Sequence, residues 1–254
     1  MRGFIAFTKK EFLESLRTYR CLILISVFFL FGMMSPLLAK LMPEILAGVE
    51  MQGMSIILPE PTVMDAYGQF FKNMTQMGIL VLLLVFGGML SNERSRGTLV
   101  PILAKGLPRH TVLLSKFISA VLLWTLAYIT AAALNYGYTW YLFRDTFVNS
   151  LAFSLFCLWF FGCLILALIL LSSTITSGSF GGLILSACSI ALMLLINIFP
   201  GMDQYNPIAL ASKNVAILSG NVTVEELTGS LVITCSLLLG SLLLSITLFR
   251  RNRL

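Results

Sequence analysis

Residues 92–116 read NERSRGTLVPILAKGLPRHTVLLSK, a charged island between two apolar runs of membrane-crossing length. Arg94, Arg96, Lys105, Arg109 and Lys116 stand against one acid, Glu93, and bases flanking apolar runs mark the cytoplasmic side. A short helix is written into the island. Thr98 is placed to cap a helix starting at Leu99, Pro101 falls in the first turn where its missing N–H does no harm, and Gly106 is placed to close the helix left-handed. Leu99, Val100, Ile102 and Leu103 make the segment too apolar for a solvated loop, and about seven residues are too few for a helix stable alone. The segment therefore needs a neighbour or a partner surface, which is the character of a docking element.

The rest of the 254-residue chain is the solvent-poor scaffold that such an island implies. Hydrophobic residues make up 58% and charged residues 11%, with mean hydropathy +0.94, whereas soluble globular chains run near about 25% charged. A bilayer suits this composition. The net charge of +6 does not point to nucleic acid, because the bases sit at the ends of apolar runs with no stripe of interleaved aromatics. Cys21, Cys157, Cys163, Cys188 and Cys235 are an odd number, lie in or beside apolar runs and show no CxxC spacing, so they read as small core hydrophobes.

In chain order, residues 1–20 combine Arg2, Lys9, Lys10, Arg17 and Arg20 with Phe4, Ile5, Phe12, Leu13 and Leu16 at near-helical spacing, an amphipathic interfacial helix. The run 21–42 is too long for a signal-peptide core and lacks a small-residue cleavage site, so it reads as the first span. Residues 43–74 are mixed and acidic and are placed outside, lying against the membrane surface. The second span is expected over 75–91, short unless its helix starts near Asp65, with Gly87 and Gly88 allowing close packing or a bend. Further spans follow at 117–142, 151–171, 180–199 and 229–249. Residues 201–228 are too polar to span and too apolar for a plain loop, which suggests a shallow re-entrant hairpin opened at Pro207 and closed at Gly220. Arg250, Arg251 and Arg253 then fix the C-terminus inside. With six spans and both termini inside, thirteen bases lie inside against four outside, and three acids inside against eight outside; an odd number of spans would break that agreement.

No phosphate loop or HExxH occurs, and the lone His110 has no acid or cysteine neighbour to build a metal site. No ionisable residue falls in the middle of a span, which argues against a proton or ion relay. The polar residues at membrane depth, Thr125, Thr130, Asn135, Ser186, Ser189, Asn197, Thr234 and Ser236, are expected mostly to bond helix to helix.

The run Glu93, Gly97, Thr98, Leu103, Pro108, Arg109 and Lys116, spaced E-x3-G-T-x4-L-x4-P-R-x6-K between the second and third spans, resembles the coupling-helix region of type-2 ABC exporter permeases. The resemblance runs along the whole chain, through the interfacial helix, six spans and a Tyr205, Asn206, Pro207 segment before the last span. It implies an all-α integral membrane protein forming a single permease domain over 1–254, with 92–116 as a cytoplasmic coupling loop and 201–228 as a re-entrant, gating segment. It further implies a non-enzymatic chain in the cell (plasma) membrane that pairs with a second permease chain, a copy or a paralogue. Two ABC ATP-binding subunits would carry ATP and Mg, and this chain would bind no cofactor itself. In that picture Glu93, Arg94, Arg96, Gly97, Thr98, Leu99, Ile102, Leu103, Pro108 and Arg109 couple the ATPase to the spans, with Arg94 and Arg96 meeting partner acids and Leu99, Ile102 and Leu103 filling its groove. Pro101 departs from the family pattern. The competing reading is a membrane-embedded regulatory or scaffold subunit that binds an ATPase or signalling partner without transporting. An intramembrane enzyme is disfavoured by the missing catalytic groups. Nothing in the spans selects a substrate.

Overall fold

The computed structural model describes residues 2–47, 60–104, 106–144, 148–176, 178, 180–199, 201–202 and 204–251. The expectations for Lys105 and Arg253, for 48–59 within the segment 43–74, and for the side chains of Ile102 and Leu103 lie outside the described residues.

The chain opens with α1, Arg2–Arg17. Tyr19, in the left-handed region at φ 60, turns it into α2, Arg20–Ala47, which continues through Pro36 and Pro43. A proline inside a helix forfeits one backbone bond, yet α2 persists beyond the expected end at 42. Its C-terminal end is held by a distant part of the chain, where the Lys40 Nζ donates to the Leu142 carbonyl at 2.6 Å.

The second crossing starts earlier than 75. The Asp65 carboxylate accepts hydrogen bonds from the Thr62 backbone N–H and hydroxyl, each at 2.8 Å, a capping arrangement that starts α3, Val63–Asn73. A π-helical turn, Met74–Gly78, joins α3 to α4, Ile79–Phe86. After a turn at 87–90 come α5, Ser91–Ser95, and α6, Leu99–Ala104. Val63–Ser95 forms one apolar unit of 33 residues, so the part of 43–74 assigned to the outer surface includes the first turns of a crossing helix.

The longest helix, α7, covers Arg109–Phe143 and ends where Arg144 turns left-handed at φ 56. It is followed by α8, Leu151–Ile175, and α9, Gly181–Ile196. Two short helices, α10 at Ala209–Ser212 and α11 at Asn214–Leu218, precede α12, Thr228–Arg251. Among the described residues five helical stretches are long and apolar enough to cross a bilayer: Arg20–Ile45, Val63–Ser95, Arg109–Phe143, Leu151–Ile175 and Glu225–Arg251. Among the described residues there is no strand. The chain is thus an all-α, multi-pass membrane protein. The expected crossing at 180–199 is the exception, because the 16 residues of α9 rise only about 24 Å, less than a hydrocarbon core of about 30 Å.

Two devices bring these helices together. Backbones meet at glycine: a Cβ on Gly182 would lie 2.4 Å from the Gly87 carbonyl oxygen, and one on Gly32 would lie 2.5 Å from the Ala131 carbonyl oxygen. Gly87 therefore serves both uses foreseen for it, since the helix also breaks after Phe86. The second device is aromatic. Trp124 stands edge-on to Phe28 and against Tyr128 at centroid distances of 5.4 and 5.0 Å, filling the space that Gly162 leaves on α8.

The expected pattern of hydroxyl bonding is corrected. Thr130, Ser186, Ser189, Thr234 and Ser236 donate to carbonyls four residues back in their own helices, the local satisfaction that a helix offers short side chains. Of that set Thr125 reaches across, accepting the Trp159 indole N–H at 3.0 Å. Longer side chains supply most of the crossing bonds: Trp124 Nε1 to the Trp159 carbonyl, Tyr128 OH to the Leu155 carbonyl, and Asn73 Nδ2 to Ser35 Oγ. Cys21, Cys157 and Cys163 are buried as expected, while Cys188 and Cys235 are exposed.

Candidate functional site

At one end of the bundle the structure gathers α1, the α5–α6 segment, the start of α7 and the end of α12. Lys116, on the second turn of α7, is 2% exposed. Its Nζ donates to Glu11 Oε2 at 2.8 Å and to Glu93 Oε1 at 2.6 Å, so one ammonium ties α1 and α5 to α7. A buried lysine needs such partners, because an unpaired charge removed from water is costly. Lys10 bridges Glu11 and Glu14 and so extends the network along α1. Near it Ser91 Oγ, Asn92 Oδ1, Glu93 Oε2 and Ser115 Oγ are buried without hydrogen-bond partners.

Helix α1 buries a mixed stripe, apolar and polar. Phe7, Glu11 and Ser15, spaced four apart, form its buried stripe, and Ile5, Leu13 and Leu16 are exposed. Glu11 goes inward because Lys116 is there to receive it, leaving Ile5, Leu13 and Leu16 exposed beside Lys9, Lys10 and Arg17.

On α1, burial alone would raise the Glu14 pKa, but the hydrogen bond from Lys10 and the charges of Lys10, Lys116 and Arg20 outweigh it and hold it below the ordinary 4.5. Burial alone would lower the Lys10 pKa, and its bonds and charges with Glu14 and Glu11 override that and hold it above the ordinary 10.5. A depressed carboxylate contributes stability above its unfolded value, lost as pH falls through the lower folded value; a raised lysine contributes below its unfolded value, lost as pH rises through the higher one. The attachment of α1 should therefore be insensitive to pH between those limits and weaken on the acid side below 4.5. Thermal unfolding of the purified protein across that range checks this, and Glu14→Gln should flatten the acid limb.

The island's short helix forms where expected, over Leu99–Ala104. Gly97 and Gly106 bracket it, both left-handed at φ +68 and φ +83 with open space where a Cβ would stand. Thr98 bonds back to the Glu93 carbonyl through its hydroxyl at 3.2 Å. The residues then divide. Leu99 is 1% exposed and anchors the helix inside the chain, while Val100 is 52% exposed. Arg96, Gly97, Thr98, Pro101 and Pro108 are exposed and Arg94 is half-buried. Glu93 is committed to Lys116. Arg109 Nη1 donates to the carbonyls of Phe249 and Arg250 at 2.7 and 3.2 Å, and its guanidinium lies 5.7 Å from the Phe249 ring centre. It thus supplies a cation to the carbonyl end of α12. A groove of about 410 Å³ runs beside this segment, lined by Lys10, Glu14, Arg20, Glu93, Arg96 and Thr98 among others.

Residues 206–218 enter the protein instead of crossing it. Asn206 is 4% exposed; its Nδ2 donates to the Met193 carbonyl at 2.8 Å and its Oδ1 accepts from the Ile208 N–H at 3.1 Å. That one side chain closes α9 and starts the turn into α10, with Pro207 buried beside it and Tyr205 half-exposed. The Thr75 hydroxyl, in the π-helical turn, donates to the Ala211 carbonyl, and Ser154 on α8 bonds Asn214. The irregular backbone is thereby covered by protein, the condition for its survival at membrane depth.

Sequence reasoning missed Lys116 and Glu11 as a pair, together with Ser35, Asn73 and Thr75. The available signal was Glu11, an acid on the same helical stripe as Phe7 and Ser15.

No family model matches the chain. It is similar to the uncharacterized transmembrane protein YxlG of Bacillus subtilis (strain 168), 25% identical over 267 residues that cover 99% of this chain and 98% of that protein. That relative's transmembrane character accords with the five apolar helices.

Proposed function

We propose that this chain is the membrane permease subunit of an ABC-type exporter, working as a pair and driven by a separate ATP-binding subunit. The observation that carries the reading is α6: a short helix between two left-handed glycines, presenting Val100 and Pro101 outward and tied through Glu93 and Lys116 to the helices that cross the bilayer. A pump without its own nucleotide site receives work through a contact, and this is the contact best linked to the spans. In this reading α9 completes a sixth, short crossing, both termini and α6 face the cytoplasm, and the chain sits in the plasma membrane. Arg94, Arg96, Ile102 and Leu103 complete the coupling surface, while Tyr205, Asn206 and Pro207 hold the gating segment.

The test is co-purification of a nucleotide-binding subunit with the tagged chain, together with its ATP turnover. Val100→Asp puts a charge on an exposed position, so the fold should survive while association and turnover fall at least tenfold, a loss of about 1.4 kcal/mol or more. Gly97→Val places a β-branched residue at φ +68, a strain of about 1–2 kcal/mol, and should uncouple turnover with a smaller effect on association. Wild-type association and turnover in Val100→Asp would reject the coupling role; co-purification without any candidate substrate altering turnover would favour the regulatory subunit.

A further inference from the structure

Where α2 and α7 end side by side, a hollow of about 620 Å³ is lined by Lys40, Trp140, Tyr141, Leu142 and Arg144. Two cations share it, and no acid lines it. The Lys40 Nζ bonds the Leu142 carbonyl at 2.6 Å and lies 5.8 Å from the Phe143 ring centre, so it offsets the negative carbonyl end of α7 and keeps a charge at the rim. Arg144 follows that helix end, exposed, and its guanidinium has no hydrogen bond or ion pair with any described residue. Asp145, the next residue in the chain, lies outside the described residues. Trp140 and Tyr141 are 63% and 75% exposed beside the two cations, and exposed aromatics of this kind sit at the headgroup level. The depth agrees. From Lys116 to Leu142 the unbroken helix α7 rises about 39 Å, close to the roughly 40 Å of a bilayer with its headgroups. The hollow is therefore at the opposite headgroup level from the Lys116 network.

We propose that this hollow binds the headgroup of an anionic phospholipid, its phosphate between Lys40 and Arg144. A guanidinium and an ammonium both donate charge-assisted hydrogen bonds to phosphate oxygens, the first as a fork and the second as a compact charge. A headgroup that carries its own ammonium would bring a like charge to the same rim. The chains also have a place to lie. Leu122, Leu126, Ile129, Ala133, Tyr136 and Trp140 are exposed at alternating spacings of four and three, which puts them in one stripe running down α7 from the hollow. A soluble anion would use the two cations and leave that stripe idle, so the acyl chains favour a lipid as the source of the phosphate. The inference needs no ATPase and no transport, and it stands or falls apart from the permease reading.

The experiment uses the full chain in phosphatidylcholine nanodiscs, titrated with phosphatidylglycerol or phosphatidylcholine brominated near the carboxyl end of the acyl chain. Tryptophan fluorescence is the readout, and the quenching lost in Trp140→Phe is that of Trp140 at the hollow. Phosphatidylglycerol should quench Trp140 at a mole fraction at least about fivefold lower than phosphatidylcholine, a factor of about five being the worth of one Lys or Arg near an anionic headgroup. Arg144→Gln, whose side chain has no described partner to lose, should remove one such factor. The pair Lys40→Gln and Arg144→Gln should remove the preference, while Lys40→Arg with Arg144→Lys should keep it. Equal quenching by the two lipids, or a preference unchanged in the double glutamine variant, would overturn the proposal. A preference lost when inorganic phosphate replaces chloride at equal ionic strength would assign the hollow to a soluble anion and overturn the lipid. No quenching of Trp140 by either lipid would overturn it too, since protein would then cover the hollow.

Discussion

Replacing Lys116 with methionine is expected to cost about 3–5 kcal/mol, the usual penalty for removing one partner from a buried ion pair. Methionine keeps most of the aliphatic length but leaves Glu93, whose side chain is 17% exposed, without a cation, and Glu11, 10% exposed, with Lys10 alone. Their repulsion and the lost ammonium act in the same direction, so α1 should detach and the α5–α6 segment lose its tie to α7. The measurement is the thermal midpoint of the detergent-solubilised protein, with protease access to α1 as the local probe. The triple variant Lys116→Met, Glu11→Gln, Glu93→Gln should recover much of the loss, because neutral amides need no counter-ion. A wild-type midpoint in Lys116→Met would mean that this ion network does not hold the end of the bundle together.

The second large effect is expected at Gly32. A Cβ there would stand 2.5 Å from the Ala131 carbonyl oxygen and 3.0 Å from its Cα. Both are backbone atoms and cannot rotate away, so α2 and α7 must separate. Gly32→Ala should cost about 1–3 kcal/mol, the range for overpacking, and Gly32→Leu more. Separation would also pull Lys40 from the Leu142 carbonyl, a bond of 2.6 Å. Gly240, on α12, has nothing within 4 Å of its added Cβ. Gly240→Ala should stay within about 0.5 kcal/mol of wild type. Equal midpoints for Gly32→Leu and Gly240→Ala would show that the α2–α7 contact is looser than described.

The same contrast separates what was readable in the chain from what was not. Apolar run length identified the five crossing helices, and turn chemistry placed the left-handed glycine at 106 after α6. Helix limits failed in two ways: Pro43 did not stop α2, whose end a distant contact holds, and the second crossing began at Val63 under a local cap made by Asp65, near the earlier start left open for it. The site was half legible. The island and its short helix were visible, but composition could not tell that Leu99 points inward, that Glu93 is committed to Lys116, or that Arg109 holds the end of α12.

The sequence by itself determined the class, an all-α chain in the bilayer, because runs of apolar residues with charged ends have one solvent in which burial and backbone bonding are both satisfied. It also determined the position and punctuation of the island helix, since glycine and proline act through local backbone geometry. Only the tertiary structure decided which polar groups meet. Glu11, Glu93 and Lys116 lie on three different helices, and Asn206 reaches a carbonyl 13 positions away. Pairings of this kind depend on how helix faces are rotated against one another, and in a chain apolar on nearly every face hydropathy does not encode that rotation; close glycine contacts and a few buried polar partners do.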